Sequence, residues 1–288
     1  MPKNILIIND IPGAGKVAGN ISFPILSAAL FEVSILPTLI LSKNADYDGG
    51  NVVRYSMEQG YEDMLDHWAR KQLTFDIYTT GYFADVHQIH EFHKYYLDNH
   101  SQGDMRRLYV DPIMGDHGRL YPGFNEGIPQ EISKLCQNTY LIMPNVTEAC
   151  LMTGYEFSES MNEDQLVELA QLLIDQGAEN VVLSGIENTE KFGPDQIGFF
   201  FYQKDGDCQT IMHRKYHSPF FGTGDIAMSL LIAYHENGLS LKDSLIESGK
   251  MLEKCLADTV ALERSVQDGI YFEPILLDLA LHMRDLQN

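Results

Sequence analysis

The chain opens with Asn4-Ile-Leu-Ile-Ile8, a mostly apolar run followed by Asn9-Asp10 and by the glycine turn Gly13-Ala-Gly15. A short apolar run that ends at turn-forming residues is typical of a strand buried on both faces. Residues 17–31 then have the apolar spacing of a helix, which Pro24 interrupts. A buried strand, a glycine turn and a helix together form the repeating unit of an α/β fold.

The same alternation continues along the chain. Further strands are predicted over residues 33–38, 75–80, 107–111, 140–143 and 180–184, and helices over residues 51–71, 225–237, 241–260 and 274–286. The runs 197–202 and 209–213 flank Lys204-Asp-Gly-Asp207, which predicts a hairpin. Strands that alternate with helices form mostly parallel sheets with right-handed crossovers. We therefore expect a single α/β domain over residues 1–288, with functional residues at the carboxyl ends of the strands.

The composition limits the partners and the compartment. The chain has 41 acidic and 20 basic residues among 288, which gives a formal net charge of −21. An acidic surface repels nucleic acids and anionic membranes, so we expect neither as a partner. No run of about 18 apolar residues is present, so no membrane-spanning helix is expected. The four cysteines form no C-x-x-C pair, which favours reduced thiols in a cytoplasmic protein.

The strongest functional signal is Phe221-Gly222-Thr223-Gly224-Asp225, which directly precedes the apolar helical run 226–234. Glycines let backbone N–H groups approach an anion, and a helix N-terminus adds unpaired donors and positive potential. Asp225 has two interpretations. It is either a helix cap or a base that takes a proton from an attacking hydroxyl while the backbone holds a phosphoryl group.

Polar residues also follow other predicted strands, namely Asp10, Asp111, Asn145 with Glu148, and Ser184. Asp111 precedes a proline that ends the strand, and a carboxylate placed there can hold Mg²⁺. Each residue has a structural alternative: Asp10 and Asp111 can form turns, and Asn145 with Glu148 has the spacing of a capping box.

Taken in order, these features resemble the ribokinase-like superfamily, and within it the vitamin B6 branch of pyridoxal/pyridoxamine kinases. The matching segments are Asn9-Asp10 with Gly13-Ala-Gly15, Asp111-Pro-x-Met-Gly115, Pro144-Asn-x-x-Glu148, Ser184-Gly185 and Gly222-Thr-Gly-Asp225. Thr80-Gly81-Tyr82 and the run 110–116 followed by Leu120-Tyr121 are also similar to that branch. The resemblance extends over about residues 4 to 260 and implies a three-layer α/β/α sandwich with a mostly parallel central sheet.

The resemblance implies a reaction and the residues that perform it. The γ-phosphate of ATP, with Mg²⁺, is transferred to the 5′-hydroxymethyl group of pyridoxal, pyridoxine or pyridoxamine. Asp225 corresponds to the catalytic base, and Gly222, Thr223 and Gly224 correspond to the anion hole. The ATP-contacting positions are Asp111, Asn145, Glu148 and Ser184, of which Asp111 and Glu148 organise the metal. The implied substrate contacts are Asp10, Asn20, Asp46, Tyr47 and Tyr82. A homodimer is also implied, and K⁺ is a candidate second ion.

Three departures from the B6 pattern keep other functions open. Asp10 replaces a common serine, the covering loop Ser42-Lys-Asn-Ala-Asp46 lacks the usual histidine and threonine, and Gly81-Tyr-Phe-Ala84 replaces Gly-Tyr-Leu-Gly. The spacing Asp10-x-x-Gly-Ala-Gly is also similar to the hydroxymethylpyrimidine kinases of thiamine synthesis. Three hypotheses therefore remain: a B6 kinase, a pyrimidine kinase, and a ligand-binding protein that has lost turnover.

Overall fold

The computed structural model describes residues 2–44, 52–99, 107–187, 189–217 and 220–287. Its strands are β1 (Asn4–Pro12), β2 (Glu32–Leu41), β3 (Arg54–Ser56), β4 (Ile77–Thr80), β5 (Arg107–Val110), β6 (Gly115–Asp116), β7 (Arg119–Leu120), β8 (Leu141–Ile142), β9 (Asn180–Ile186), β10 (Gln196–Gln203) and β11 (Cys208–Arg214). Its helices are α1 (Gly19–Ala28), α2 (Glu58–Arg70), α3 (Val86–Asp98), α4 (Ile128–Leu135), α5 (Val146–Thr153), α6 (Glu163–Asp175), α7 (Thr189–Phe192), α8 (Thr223–Glu236), α9 (Leu241–Ala261) and α10 (Ile275–Leu286).

One large sheet contains nine of these strands in the order β11-β10-β9-β8-β5-β4-β1-β2-β3. All neighbouring strands from β9 to β2 in this order pair in parallel. At the two edges the pairing is antiparallel, between β2 and β3, between β9 and β10, and between β10 and β11. The predicted hairpin is confirmed as the pair β10 and β11. The short strands β6 and β7 form a separate ribbon.

The order of the strands reverses beside β1. The chain passes from β1 to β2 on one side and then returns to β4 on the other side. The loops that follow β1 and β4 therefore leave in opposite directions and open a crevice at the carboxyl ends of the strands.

Helices cover both faces of the sheet. Ile5 and Ile7 of β1 belong to one apolar core with α1, α8, α9 and α10, whereas Leu6 and Ile8 belong to a second core with α2 to α6. Successive residues of a strand point to opposite faces, so a strand buried between two helical layers is apolar at every position. The predicted three-layer α/β/α sandwich is confirmed.

The predicted helix over residues 51–71 is wrong at its start. Residues Arg54–Ser56 form β3, and the helix begins only at Glu58. β3 pairs antiparallel with the last residues of β2, where Leu39 lies opposite Ser56 and Leu41 lies opposite Arg54. The segment has the local apolar spacing of a helix, but its pairing with β2 makes it a strand. β2 itself is longer than predicted.

The first strand is also longer than predicted. β1 continues through Asn9 and Asp10 to Pro12, because β2 supplies pairing partners as far as Leu41. The register between the two strands shifts between Asn9 and Ile11, at Asp10. Irregularities of this kind re-aim side chains and are frequent beside active sites. The following helix is shorter than predicted, from Gly19 to Ala28, and it contains Pro24.

The four cysteines differ in their burial. All four are free, and Cys136, Cys150 and Cys255 are buried whereas Cys208 is exposed. Burial raises the pKa of both Cys136 and Cys255 to about 12, so neither is a reactive thiolate near neutral pH. In the parts of the chain that the structure describes, no helix has the length and apolarity needed to cross a membrane.

Candidate functional site at the carboxyl edge of the sheet

The loop before α8 is built around a glycine with a positive φ. Gly222 is the N-cap of α8 with φ of 87°, and a Cβ there would lie 2.5 Å from Ile21 Cδ1 and 2.8 Å from the Lys16 carbonyl oxygen. Any other residue would be strained and would collide with the backbone of the first loop. Gly224 faces Asp111, since a Cβ on it would lie 3.8 Å from Asp111 Oδ2. The loop thus sits against the ends of both β1 and β5.

Asp225 is the third residue of α8 and does not cap the helix, so the capping interpretation is wrong. Its carboxylate instead accepts hydrogen bonds from two other elements. Oδ2 accepts the Ala18 N–H at 2.9 Å, and Oδ1 accepts a longer bond of 3.4 Å from Asn9 Nδ2. Burial raises the pKa of Asp225 to about 6, and the bonds from Ala18 and Asn9 limit the rise. Asp225 is therefore mostly ionised at neutral pH and accepts protons readily.

Asn9 has a role that the sequence analysis missed. Its Oδ1 accepts the N–H groups of Asp10 at 3.0 Å and Tyr82 at 2.9 Å, so its Nδ2 has to face Asp225. Gly81 leaves room for it, because a Cβ on Gly81 would lie 2.5 Å from Asn9 Nδ2. The signal in the sequence was the polar residue Asn9 directly before Asp10, at the end of the apolar run.

Asp10 lies within the same group of acids. It is 8% exposed, and burial together with the charge of Asp225 raises its pKa to about 7. Tyr82 is half-buried, and its ring meets the ring of Phe124 edge-on at 5.4 Å. Asn20 uses its Nδ2 to bind the carbonyl groups of Pro12 at 2.6 Å and Gly15 at 3.1 Å. Asn20 therefore holds the first loop in place.

Asn145 and Glu148 form the capping box of α5. Asn145 Oδ1 accepts the Glu148 N–H at 2.9 Å, and Glu148 Oε2 accepts the Asn145 N–H at 2.9 Å. Glu148 Oε1 also accepts the Met114 N–H at 3.1 Å, which ties the box to the segment after β5. The capping interpretation of this pair is confirmed, and the box fixes a buried carboxylate beside Asp111.

Asp111 and Glu148 are both buried and act on each other. Burial, the charge of Glu148 and the charge of Asp225 raise the pKa of Asp111 well above its ordinary value. Burial likewise raises the pKa of Glu148, against the opposing effect of its backbone hydrogen bonds. Within the described residues the Asp111 carboxylate accepts no hydrogen bond, so its oxygens are open to a ligand. Ser184 lies within β9, which ends at Ile186 and not at the predicted position, and its N–H donates to the Pro144 carbonyl at 2.8 Å.

The site contains four buried carboxylates and no cation that pairs with them in the described ranges. The ion pairs there involve none of Asp10, Asp111, Glu148 and Asp225. Among all residues that the structure describes, no group of three or more His, Cys, Asp or Glu side chains has the arrangement of a metal site. Uncompensated buried carboxylates are costly unless a ligand neutralises them, and they cluster at functional sites. Two predicted substrate contacts, Asp46 and Tyr47, lie outside the described residues.

Comparisons with known proteins agree with this architecture. One similar structure is that of a protein described as a phosphomethylpyrimidine kinase from Bacteroides thetaiotaomicron VPI-5482, crystallised with pyridoxal. Its sequence is 25% identical to this chain and the TM-score is 0.90. The match covers 97% of this chain and 96% of that one. Pyridoxal kinase from Lactobacillus plantarum is 26% identical with a TM-score of 0.87 and 98% coverage of both chains. Pyridoxal kinase from Leishmania donovani, solved with ADP, shares the fold with a TM-score of 0.85 at 18% identity, over 97% of this chain and 96% of that one.

The fold is that of the ribokinase-like kinases. The family model for phosphomethylpyrimidine kinase matches residues 67–268, which is more than half of the chain, and the chain belongs to that family. The protein is a phosphotransferase that acts on a hydroxyl group. A search of the curated proteins found no match to this sequence.

Proposed function

We propose that this protein transfers the γ-phosphate of ATP to the 5′-hydroxymethyl group of pyridoxal, pyridoxine or pyridoxamine. The observation that carries the proposal is the position of Asp225, a buried carboxylate held by Ala18 and Asn9 beside a glycine loop at the start of α8. The pyridoxal-bound relative and the two pyridoxal kinases support the choice of substrate.

Asp225 acts as the general base. An alcohol is a weak nucleophile, and a carboxylate that accepts its proton as the new P–O bond forms lowers the barrier. Because the pKa of Asp225 is about 6, the group is ionised at neutral pH and still basic enough to accept a proton. The N–H groups of Gly222, Thr223 and Gly224 face the transferring phosphoryl group at the positive end of α8.

The buried acids fit Mg²⁺. Asp111 offers open carboxylate oxygens, and Glu148 lies next to it in a fixed orientation, which suits a hard cation that prefers oxygen ligands. When bound, the metal neutralises charge on the ATP phosphates. Asn145 and Ser184 line the same edge of the sheet, where they bind the nucleotide phosphates. K⁺ is a candidate second ion.

The substrate ring binds between Asp10 and Tyr82, with Asn20 holding the first loop. Asp10 has a pKa of about 7 and can pair with a ring nitrogen either as donor or as acceptor. Asp46 and Tyr47, which lie outside the described residues, remain predicted substrate contacts. The enzyme works as a cytoplasmic homodimer, and its four free cysteines fit a reducing compartment.

A hydroxymethylpyrimidine is the second candidate substrate, because the family model is that of phosphomethylpyrimidine kinase. The test is ADP release with ATP and Mg²⁺ against pyridoxal, pyridoxine, pyridoxamine and hydroxymethylpyrimidine. We expect turnover on at least one B6 vitamer. Turnover on the pyrimidine alone would move the protein to the second candidate. Binding of a vitamer without turnover on any alcohol would indicate a protein that has kept the fold and lost catalysis.

The role of Asp225 is tested by Asp225→Asn. The variant keeps the shape of the side chain and loses the base, so kcat should fall by about 10²–10⁴-fold. ATP binding, measured by calorimetry with Mg²⁺, should change by less than about threefold, because the loop and α8 keep their geometry. A variant with more than half of the original kcat would show that Asp225 is not the base.

A further inference from the structure

A small cavity lies beneath Asp225, between the sheet and helices α1 and α8. Its polar wall is formed by Asn9, Ser22, Thr79, Thr80, Asp111 and Asp225. Ile7 and Met228 close its apolar side, and there is room for about one water molecule. The proposed function gives roles to Asp111 and Asp225 on this wall, but none to Ser22, Thr79 or Thr80.

Three hydroxyl groups on this wall lack partners. Ser22 is 6% exposed, Thr79 is 5% exposed and Thr80 is 2% exposed, and within the described residues none of the three side-chain oxygens makes a hydrogen bond. Buried hydroxyl groups are nearly always paired, either with protein atoms or with an ordered water. All three residues line the cavity, so we place the missing partner there.

The acceptors on the opposite wall are also incompletely used. Asp225 Oδ1 receives only the 3.4 Å bond from Asn9, and the Asp111 carboxylate accepts none in the described part of the chain. A carboxylate oxygen can accept two hydrogen bonds, so Asp225 Oδ1 can accept one more from a donor in the cavity. Donor hydroxyl groups on one side and open carboxylate oxygens on the other match a ligand that both donates and accepts.

We propose that the cavity binds one internal water molecule, which accepts from the Thr79 and Ser22 hydroxyls and donates to Asp225 Oδ1. The water fixes the carboxylate in the orientation that faces the glycine loop. Thr79 and Ser22 are then positioning residues that act through the water. The catalytic consequence rests on the proposed role of Asp225, whereas the water site stands without it.

The kinetic test compares Thr79→Val with Thr79→Ser. Valine has the shape and strand preference of threonine but no hydroxyl, and serine restores the hydroxyl. A hydrogen bond to a charged group is lost in the valine variant, so we expect kcat to fall about tenfold with KM for both substrates unchanged. Thr79→Ser should recover kcat to within about twofold of the original enzyme. Ser244→Ala is the matched control, because this fully buried hydroxyl on α9 already donates to the Ser240 carbonyl at 2.7 Å.

The structural test is a crystal structure of the original enzyme and of Thr79→Val, each soaked in a rubidium salt. We expect a single peak without anomalous signal in the cavity of the original enzyme and no peak in the variant. An empty cavity, an anomalous peak from a bound cation, or substrate density in its place would overturn the proposal. Thr79→Val with unchanged kcat would also overturn it. An active Asp225→Asn enzyme that still shows the water would refute the proposed base alone.

Discussion

Helix α8 carries a buried carboxylate near each end, and the two have opposite surroundings. Asp225, in its first turn, lies among other buried acids with no paired cation in the described ranges. Glu236, its last residue, binds Lys3 Nζ at 2.8 Å, Arg107 Nη1 at 3.0 Å and the Tyr109 hydroxyl at the amino ends of β1 and β5. The same helix therefore has an unpaired buried carboxylate at the carboxyl edge of the sheet and a paired one at the amino edge.

The two ends differ in pKa for physical reasons. Burial alone would raise the pKa of Glu236, but the bonds from Lys3 and Tyr109 and the charge of Arg107 outweigh it, so its pKa is lowered. At the other end burial dominates, and the pKa of Asp225 is raised. Removing one partner of a paired buried charge is costly, and unpaired buried acids cluster at functional sites, where a ligand or a proton neutralises them. We infer that the amino edge is structural and the carboxyl edge functional.

The largest effect on stability is expected at the amino edge, in Glu236→Gln. The substitution removes the negative charge that pairs with Arg107 and Lys3, and the Glu236 side chain is only 3% exposed. We expect a loss of roughly 3 kcal/mol in the free energy of unfolding, measured in urea, with kcat unchanged. A loss below about 0.5 kcal/mol would mean that the cluster is not structural.

The next effect is a pH dependence at the carboxyl edge. Asp10 has a pKa of about 7 in the folded protein against an ordinary value of 3.8, so the folded state holds a proton that the unfolded chain has released. Stability therefore falls as pH rises from about 4 to 7, by about 2 kcal/mol between pH 5 and pH 7 from this group. In Asp10→Asn this part of the pH dependence should be absent when the free energy of unfolding is measured in urea at several pH values without ligand. An identical slope in both proteins would contradict the raised pKa.

A smaller effect is expected from Gly222→Ala. The residue has φ of 87°, and a Cβ would lie 2.8 Å from the Lys16 carbonyl oxygen. Strain in this backbone region costs about 1–2 kcal/mol, and the loop should shift away from the position in which we propose that it binds phosphate. We expect KM for ATP to rise and the melting temperature to fall modestly. Gly206→Ala is the control, because Gly206 also has a positive φ but lies in the β10–β11 turn with nothing near its Cβ position.

The smallest effect is expected from Lys3→Ala at the amino edge. Lys3 is 46% exposed, and Arg107 still pairs with Glu236 after the substitution. Exposed ion pairs contribute less than about 1 kcal/mol, so the free energy of unfolding should fall by that amount or less. A loss as large as that of Glu236→Gln would show that Lys3, and not Arg107, balances the buried acid.

Local patterns predicted most of the fold but not its long-range contacts. Apolar runs that end in glycine and acidic residues placed Asp10, Asp111, Asn145 and Asp225 at one edge of the sheet, because each signal lies within a few residues. The bond from Asn9 to Asp225 joins residues 216 positions apart and leaves no local trace. The strand over Arg54–Ser56 and the Glu236 cluster were missed for the same reason. Their conformation depends on partners that only the folded chain brings together.

The most direct test measures kcat and the free energy of unfolding for Asp225→Asn and Glu236→Gln side by side. We predict that Asp225→Asn loses kcat by at least about a hundredfold while its stability stays within about 1 kcal/mol. Glu236→Gln should show the reverse, with kcat retained and roughly 3 kcal/mol of stability lost. If Asp225→Asn unfolds readily and keeps its activity, or if Glu236→Gln is stable and inactive, the division between a functional and a structural edge is wrong.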